Sequence, residues 1–394
     1  MNILFITNKN VYPLIGGIER ITYVLARTFC QMYDGWKSYS LFTQENSLNQ
    51  TTNDVFVGKY LLPDENKYSY ISQIIDSQKI QVIISQGADT RVNAIMPDIK
   101  KACDVSEQHP AILFVYHNMP GFELVGMDVP TLMHKCFLGK NQRGALRQLF
   151  IQCIYSIFPT YIKSLIRPKY RIAYEASDKM IMLSEGFIEQ YDQFIQGDKT
   201  HYMSIPNMLT YAIDPELLHT KKKTILIVAR MEERQKRIKM ALRIWKRIPL
   251  SDWQLKIVGD GEDLSYYKQL TAKWHLKNVS FDGQQDPLLY YRESSIFMMT
   301  SAFEGWPMTL MEAIPCGCVP IAFDSFSAVH DIIQSGRNGY IVPNNDIDGY
   351  ARALQELMNN DTLRAELAAN AQKDVQRFSR ENIAKQWKTL FENL

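Results

Sequence analysis

The chain has 394 residues, 46% of them hydrophobic, and a formal net charge of +2. That length supports more than one core, and so small a charge gives no whole-molecule case for a nucleic-acid partner. No run reaches 18 apolar residues, which argues against a membrane-spanning helix, and the opening MNILFITNKN lacks the basic start and small-residue cleavage site of a secretory signal.

Residues 2–7 form an apolar run suited to a buried strand, followed by a loop with Pro13, Gly16 and Gly17. Across 18–32, Ile21, Val24, Leu25 and Phe29 recur at three and four, which predicts a helix. Further apolar runs at 36–42, 82–85, 111–116, 180–183 and 202–205 read as strands. After Pro206 and Asn207 the pattern pauses, and the polar stretch 216–223 reads as a linker. It then restarts with strands at 224–229, 254–258, 278–281, 296–299, 318–322 and 340–342, and with a helix at 239–247. Apolar strands alternating with helices predict mostly parallel sheets covered on both faces. Two α/β units result, 1–210 and 211–378. Ser379 is an N-cap candidate for a last helix, 379–394, whose stripe of Ile383, Trp387, Leu390, Phe391 and Leu394 needs a surface. It either finishes the second unit or returns across the first.

Charge is unevenly placed. Between 129 and 174 there is no Asp or Glu, while Lys135, Lys140, Arg143, Arg147, Lys163, Arg167, Lys169 and Arg171 lie there. Leu146, Phe150, Ile151, Ile154 and Ile157 can line one helical face in this stretch. It reads either as a core-facing helix with a solvated basic edge or as a surface for anionic lipid. Six cysteines without a CxxC pair predict free buried thiols in a reducing, cytoplasmic compartment.

Ligands of open α/β sheets bind beyond the carboxyl ends of the strands. Gly16 and Gly17 follow the first strand, His117 follows 111–116, Arg230 follows 224–229, Gly259 follows 254–258, and Glu304 follows 296–299 after a short loop. Two sheets with those edges facing would make a cleft. Gly16 and Gly17 permit close backbone approach, and the helix start behind them offers N–H groups to an anion. Arg230 supplies a guanidinium fork, with Lys236 nearby. A helix at 308–314 can aim the amides of Met308, Thr309 and Leu310 at phosphate oxygens. Glu304 and Glu312 can accept hydroxyl hydrogen bonds, and Glu312, on an otherwise apolar helix, needs a partner. Each feature has a plainer reading: a tight turn at the glycines, a structural histidine, a solvated loop in RMEERQKR, a turn in GDGED. Their shared side of the sheets is what raises them together. Phosphates plus hydroxyls describe a sugar nucleotide.

The run from Glu304 to Glu312, with Gly305 and Ala313 behind the two acids, resembles the signature of retaining nucleotide-sugar glycosyltransferases of family 4, which have the GT-B fold. Gly317, Val319, Pro320 and Ile321 are similar to its G-x-P-V-I segment, with Val and Pro transposed. IPN at 205–207, ILIVARMEERQKR from Ile225, GDGE at 259–262, GG at 16–17 and NGYIVPNND extend the match, over most of the second unit and in patches of the first. The resemblance implies a GT-B fold of two Rossmann-like domains facing across a donor-binding cleft, and a metal-independent enzyme using a UDP- or GDP-sugar and no cofactor. It implies Glu304 and His117 near the donor sugar, Glu312 on the ribose, Arg230 and Lys236 on the diphosphate, and Gly17 approaching the phosphates. Ala229 stands where the family has Gly, and Trp306 and Pro307 where Phe-Gly is frequent. The spacing from Arg230 to Lys236 is one longer than the commonest, which leaves Lys239 as the alternative phosphate lysine. The expected acceptor is a glycan, lipid-linked, in surface polysaccharide assembly, with the enzyme peripheral on an anionic membrane. Alternatives are a glycogen- or starch-like polymer transferase or phosphorylase, a nucleotide-sugar epimerase, or a non-catalytic nucleotide-sugar-binding protein.

Overall fold

The computed structural model describes residues 1–12, 16–45, 55–87, 90–138 and 142–394, so Pro13 and Lys140 lie outside the described residues. The chain forms two compact units. The first comprises Met1–Pro120, Thr160–Met208 and Phe378–Leu394, and the second Gly121–Pro159 and Leu209–Arg377.

The first unit holds a parallel sheet of β1 (Asn2–Lys9), β2 (Lys37–Gln44), β3 (Phe56–Leu61), β4 (Val82–Gly87), β5 (Ala111–Tyr116), β6 (Lys179–Met182) and β7 (Tyr202–Ser204), in the order β3-β2-β1-β4-β5-β6-β7. β1 is an interior strand, with Ile3 in register with Ser38 on one side and Val82 on the other. Central strands covered on both faces need no alternation, and every residue of β4 is buried, as are the last five of β5. β3 is the strand the sequence does not announce. Its FVGKYL carries Gly58 and Lys59 and stays half exposed, as an edge strand can.

The last helix, Arg380–Glu392, belongs to this unit. Ser379 caps it by accepting the Asn382 amide. Trp387 and Phe391 then set their rings edge-on to Phe29 of the Gly17–Met32 helix, with centroids 6.3 and 5.7 Å away. Aromatic packing of this kind contributes about 0.5–1.5 kcal/mol per pair beyond the burial of area.

The second unit holds β8 (Lys222–Val228), β9 (Gln254–Val258), β10 (Val279–Gly283), β11 (Ser294–Met299), β12 (Val319–Asp324) and β13 (Tyr340–Pro343), parallel in the order β10-β9-β8-β11-β12-β13. The stretch expected as a linker is built structure. Pro215–His219 is a 3₁₀ turn and β8 already starts at Lys222. Lys221 donates to the carbonyls of Tyr291, Arg292 and Cys316, at 3.0, 3.0 and 2.5 Å, so a lysine of the expected linker is a structural clasp.

The expected block 1–210 is also not continuous, because Gly121–Pro159 packs into the second unit. Ion pairs and ring contacts hold it there: Lys135, on the helix Val129–Leu138, reaches Glu262 at 2.8 Å and Asp263 at 2.7 Å, and His134 stacks on Tyr266 with centroids 4.3 Å apart. All six cysteines are free, and Cys30 and Cys153 are exposed, so the expected burial holds for the other four.

Candidate active site

The site builds outward from β8. Its carboxyl end delivers Arg230, and the turn that follows folds into the short helix Glu233–Lys236. Next in the sheet, β9 ends at Gly259, whose φ of +133° and closeness to β8 both favour glycine: a Cβ there would sit 2.0 Å from the Ala229 carbonyl oxygen. The GDGED turn therefore lies against the Arg230 loop, and Met231 donates its amide to the Asp260 carbonyl at 2.8 Å. The Gly259 amide itself is spent on the Gly283 carbonyl, at 2.7 Å.

Four side chains then join in one network. Arg230 donates to the Gln235 amide oxygen at 3.2 Å, and the Gln235 amide nitrogen donates to Glu304 Oε2 at 3.2 Å. Lys236 Nζ donates to Glu304 Oε1 at 2.5 Å. Glu304 is buried, and both of its carboxylate oxygens are held. The cost of burying that charge is thus offset by an ammonium and an amide. Arg230 keeps 67% of its side chain exposed, so its guanidinium can also meet an anion from solvent.

Lys236 is aimed by its neighbour. Arg237 has φ +49°, unusual for a residue with a Cβ. Its guanidinium clamps the turn by donating to the Thr300 and Ser301 carbonyls, at 2.7 and 2.9 Å, and to the Asn344 and Asn345 side chains, at 3.0 and 2.9 Å. Burial lowers the pKa of Arg237 to about 10, which leaves it cationic at neutral pH. Lys239, the alternative phosphate lysine, is engaged elsewhere: it reaches Asp128 at 2.9 Å and the Thr131 hydroxyl at 2.6 Å. Lys236, not Lys239, stands at Glu304.

Glu312 lies on the helix Met308–Ala313, is 1% exposed, and accepts the Tyr291 hydroxyl at 3.0 Å. That pairing answers the sequence question of how an acid survives on an apolar helix. The helix mouth is less open than expected, since the Met308 amide donates to the Trp306 carbonyl at 2.8 Å and Leu310 to Pro307 at 3.0 Å. Thr309 sits between them.

In the first unit, Gly16 has φ +68° and precedes the helix that Gly17 opens, and nothing would meet a Cβ on Gly17 within 4 Å. His117 follows β5, and its ring Nε2 is hydrogen-bonded to the Gln86 side chain. Burial pushes its pKa down to about 3, so the imidazole is neutral. These three residues lie at the carboxyl edge of the first sheet, as expected.

Sequence reasoning missed a buried layer under the Arg230 loop. Glu233 is enclosed, accepts the Lys239 amide at 3.0 Å, and donates its own amide to Asp263 at 2.8 Å. Burial raises its carboxyl to about 7. The one signal was the doubled acid in RMEERQKR, which also fits a solvated loop.

Residues 212–374, within the second unit, match the family Glycosyl transferases group 1. An uncharacterized glycosyltransferase of Haemophilus influenzae is 28% identical over 223 residues, covering 55% of this chain and 62% of the relative. A lipopolysaccharide 1,6-galactosyltransferase of Salmonella typhimurium is 28% identical over 219 residues, covering 52% of this chain and 60% of its own. The chain thus spans less than two thirds of these relatives. Among solved structures, Anabaena Alr3699/HepE in complex with UDP matches with a TM-score of 0.73 at 15% identity, covering 100% of both chains. The two parallel-sheet Rossmann-like units are those of the GT-B fold.

Proposed function

We propose that this protein is a retaining, metal-independent glycosyltransferase. It moves a hexose or N-acetylhexosamine from a UDP- or GDP-sugar to a glycan acceptor, lipid-linked, in bacterial surface polysaccharide synthesis at the cytoplasmic face of the membrane. The observation that carries the reading is the Arg230–Gln235–Glu304–Lys236 network at the carboxyl edge of the second sheet, inside the segment that matches the family. The names of the relatives support the substrate class: one is a lipopolysaccharide galactosyltransferase, and the Anabaena neighbour was crystallised with UDP, which makes uridine the first base to test.

In this reading Arg230 and Lys236 neutralise the diphosphate as it leaves, doing the electrostatic work of a metal ion. Glu304 receives hydroxyls of the donor sugar, and Glu312, its carboxylate oriented by the Tyr291 hydroxyl, holds the ribose. The acceptor oxygen attacks the anomeric carbon on the face the diphosphate departs from. The carbon–oxygen bond to the diphosphate breaks as the new glycosidic bond forms, and the acceptor's proton passes to the departing phosphate oxygen.

Transfer assays with UDP- and GDP-sugars, run with and without EDTA, test this. The expected product keeps the donor's anomeric configuration, and EDTA leaves the rate unchanged. An inverted product, or a stable glycosyl adduct on Glu304 during turnover, overturns the mechanism. Absence of both transfer and donor hydrolysis with every nucleotide sugar overturns the activity.

A further inference from the structure

Most of the large apolar side chains that lie exposed among the described residues fall between 129 and 172. In the second unit they are ordered. The helices Val129–Leu138 and Gln142–Ile157 pack together through Leu132, Cys136, Ala145 and Leu149. They run antiparallel: Gln142 donates to the Phe137 carbonyl at one end, and Gln152 to the Met127 carbonyl at the other, both at 2.9 Å. The residue after each packed one points outward: Met133, Phe137, Leu146 and Phe150. One residue is about 100° of helix, and in an antiparallel pair the same offset brings both stripes to one side. Val129 and Ile157 extend them. Phe137, Phe150 and Ile157 are 68%, 65% and 69% exposed. Arg143 and Arg147 flank the stripe on the second helix, and no acid occurs from 129 to 174.

We infer that this face of the helix pair is a docking surface for an anionic lipid bilayer, and that it is carried by the unit that holds Arg230 and Glu304. It deepens the membrane placement proposed above, but it does not need the transfer chemistry. Among the described residues no helix is long and apolar enough to cross a membrane, so the mode is interfacial: apolar side chains enter between headgroups while arginines meet their phosphates. A second copy of the chain fits worse. A two-fold pairing would set this basic, acid-free face against itself. The opposite side of the first helix ties the surface to the donor loops, through Lys135 on Glu262 and Asp263 and through Asp128 and Thr131 on Lys239.

The test is sedimentation of the full chain with phosphatidylglycerol-containing vesicles and with pure phosphatidylcholine vesicles. The wild type is expected to bind the anionic vesicles, less so as salt rises. The triple variant Phe137→Ser, Phe150→Ser, Ile157→Ser should bind them about tenfold or more weakly, and Arg143→Glu with Arg147→Glu should remove the salt dependence. The pair Leu250→Ser and Leu289→Ser, exposed apolar residues elsewhere in this unit, should bind like wild type. Circular dichroism and melting temperature confirm that each variant is folded. The proposal is overturned if wild type ignores anionic vesicles at low salt, if the folded triple variant binds unchanged, or if the triple variant only turns a dimer into a monomer. Donor hydrolysis in vesicle-free solution follows the transferase reading separately, and the triple variant should retain it.

Discussion

Arg230 stays open to an incoming anion, since its partners Glu232 and Gln235 use one end of its fork. Arg230→Ala should lower kcat/KM by roughly 30- to 1000-fold, equivalent to about 2–4 kcal/mol of lost transition-state stabilisation. Steady-state kinetics with the correct donor check this, and near-wild-type kcat/KM removes Arg230 from the chemistry. A second expectation concerns Glu233, which burial raises from 4.5 to about 7. Between those values the folded protein keeps a proton that the unfolded chain releases. Stability therefore falls as pH rises through that window, by up to about 3 kcal/mol. Glu233→Gln cannot ionise, so its melting temperature should fall less than the wild type's between pH 4.5 and 7.5. Parallel curves would show that Glu233 is ionised in the fold. The placement of Arg230 and Glu304 behind strands of the second sheet was legible, because each follows an apolar run that reads as a buried strand. Gln235 and Arg237 were not: one is a neutral amide in a charged run, and the other takes a positive φ at a position where glycine would be expected.

At the scale of elements, the sheets were legible because buried parallel strands read as unbroken apolar runs, as in the last five residues of β5. β3 was lost because an edge strand needs no such run, and 216–223 was misread because a polar run looks like a linker until Lys221 is seen gripping carbonyls. The terminal helix carries its own test. Trp387 is buried and its ring contacts both Phe29 and Phe391. Trp387→Ala should cost about 3–5 kcal/mol, as other large-to-small core changes do. Calorimetry should show a lower transition temperature, and an unchanged melting profile would mean that the helix contributes little to its unit.

At the scale of the molecule, neither unit is one stretch of chain. The backbone passes between them near 120, 159, 208 and 377. A fragment cut at 208 carries Phe29 without Trp387, and a fragment 209–377 carries Glu262, Asp263 and Lys239 without Lys135, Asp128 and Thr131. Both should be far less soluble and less protease-resistant than the full chain. Adding the peptide 378–394 to a fragment joining 1–120 and 160–208 by a flexible linker should restore protection. If the fragment cut at 208 resists protease as the full chain does, the terminal helix is dispensable. The sequence placed a boundary near 210 because the strand pattern restarts there, but no local pattern reveals that 121–159 is held by ion pairs and ring contacts formed more than a hundred positions later.

That interleaving also sets an order of events at the ribosome. The Gly17–Met32 helix emerges early, yet Trp387 and Phe391 are made only after the whole of the second unit. At about 5–20 residues per second, the ring of Phe29 waits on the order of tens of seconds for its cover. During that interval the nascent chain lacks the two rings that later pack edge-on to Phe29, and uncovered apolar surface of this kind is prone to aggregation.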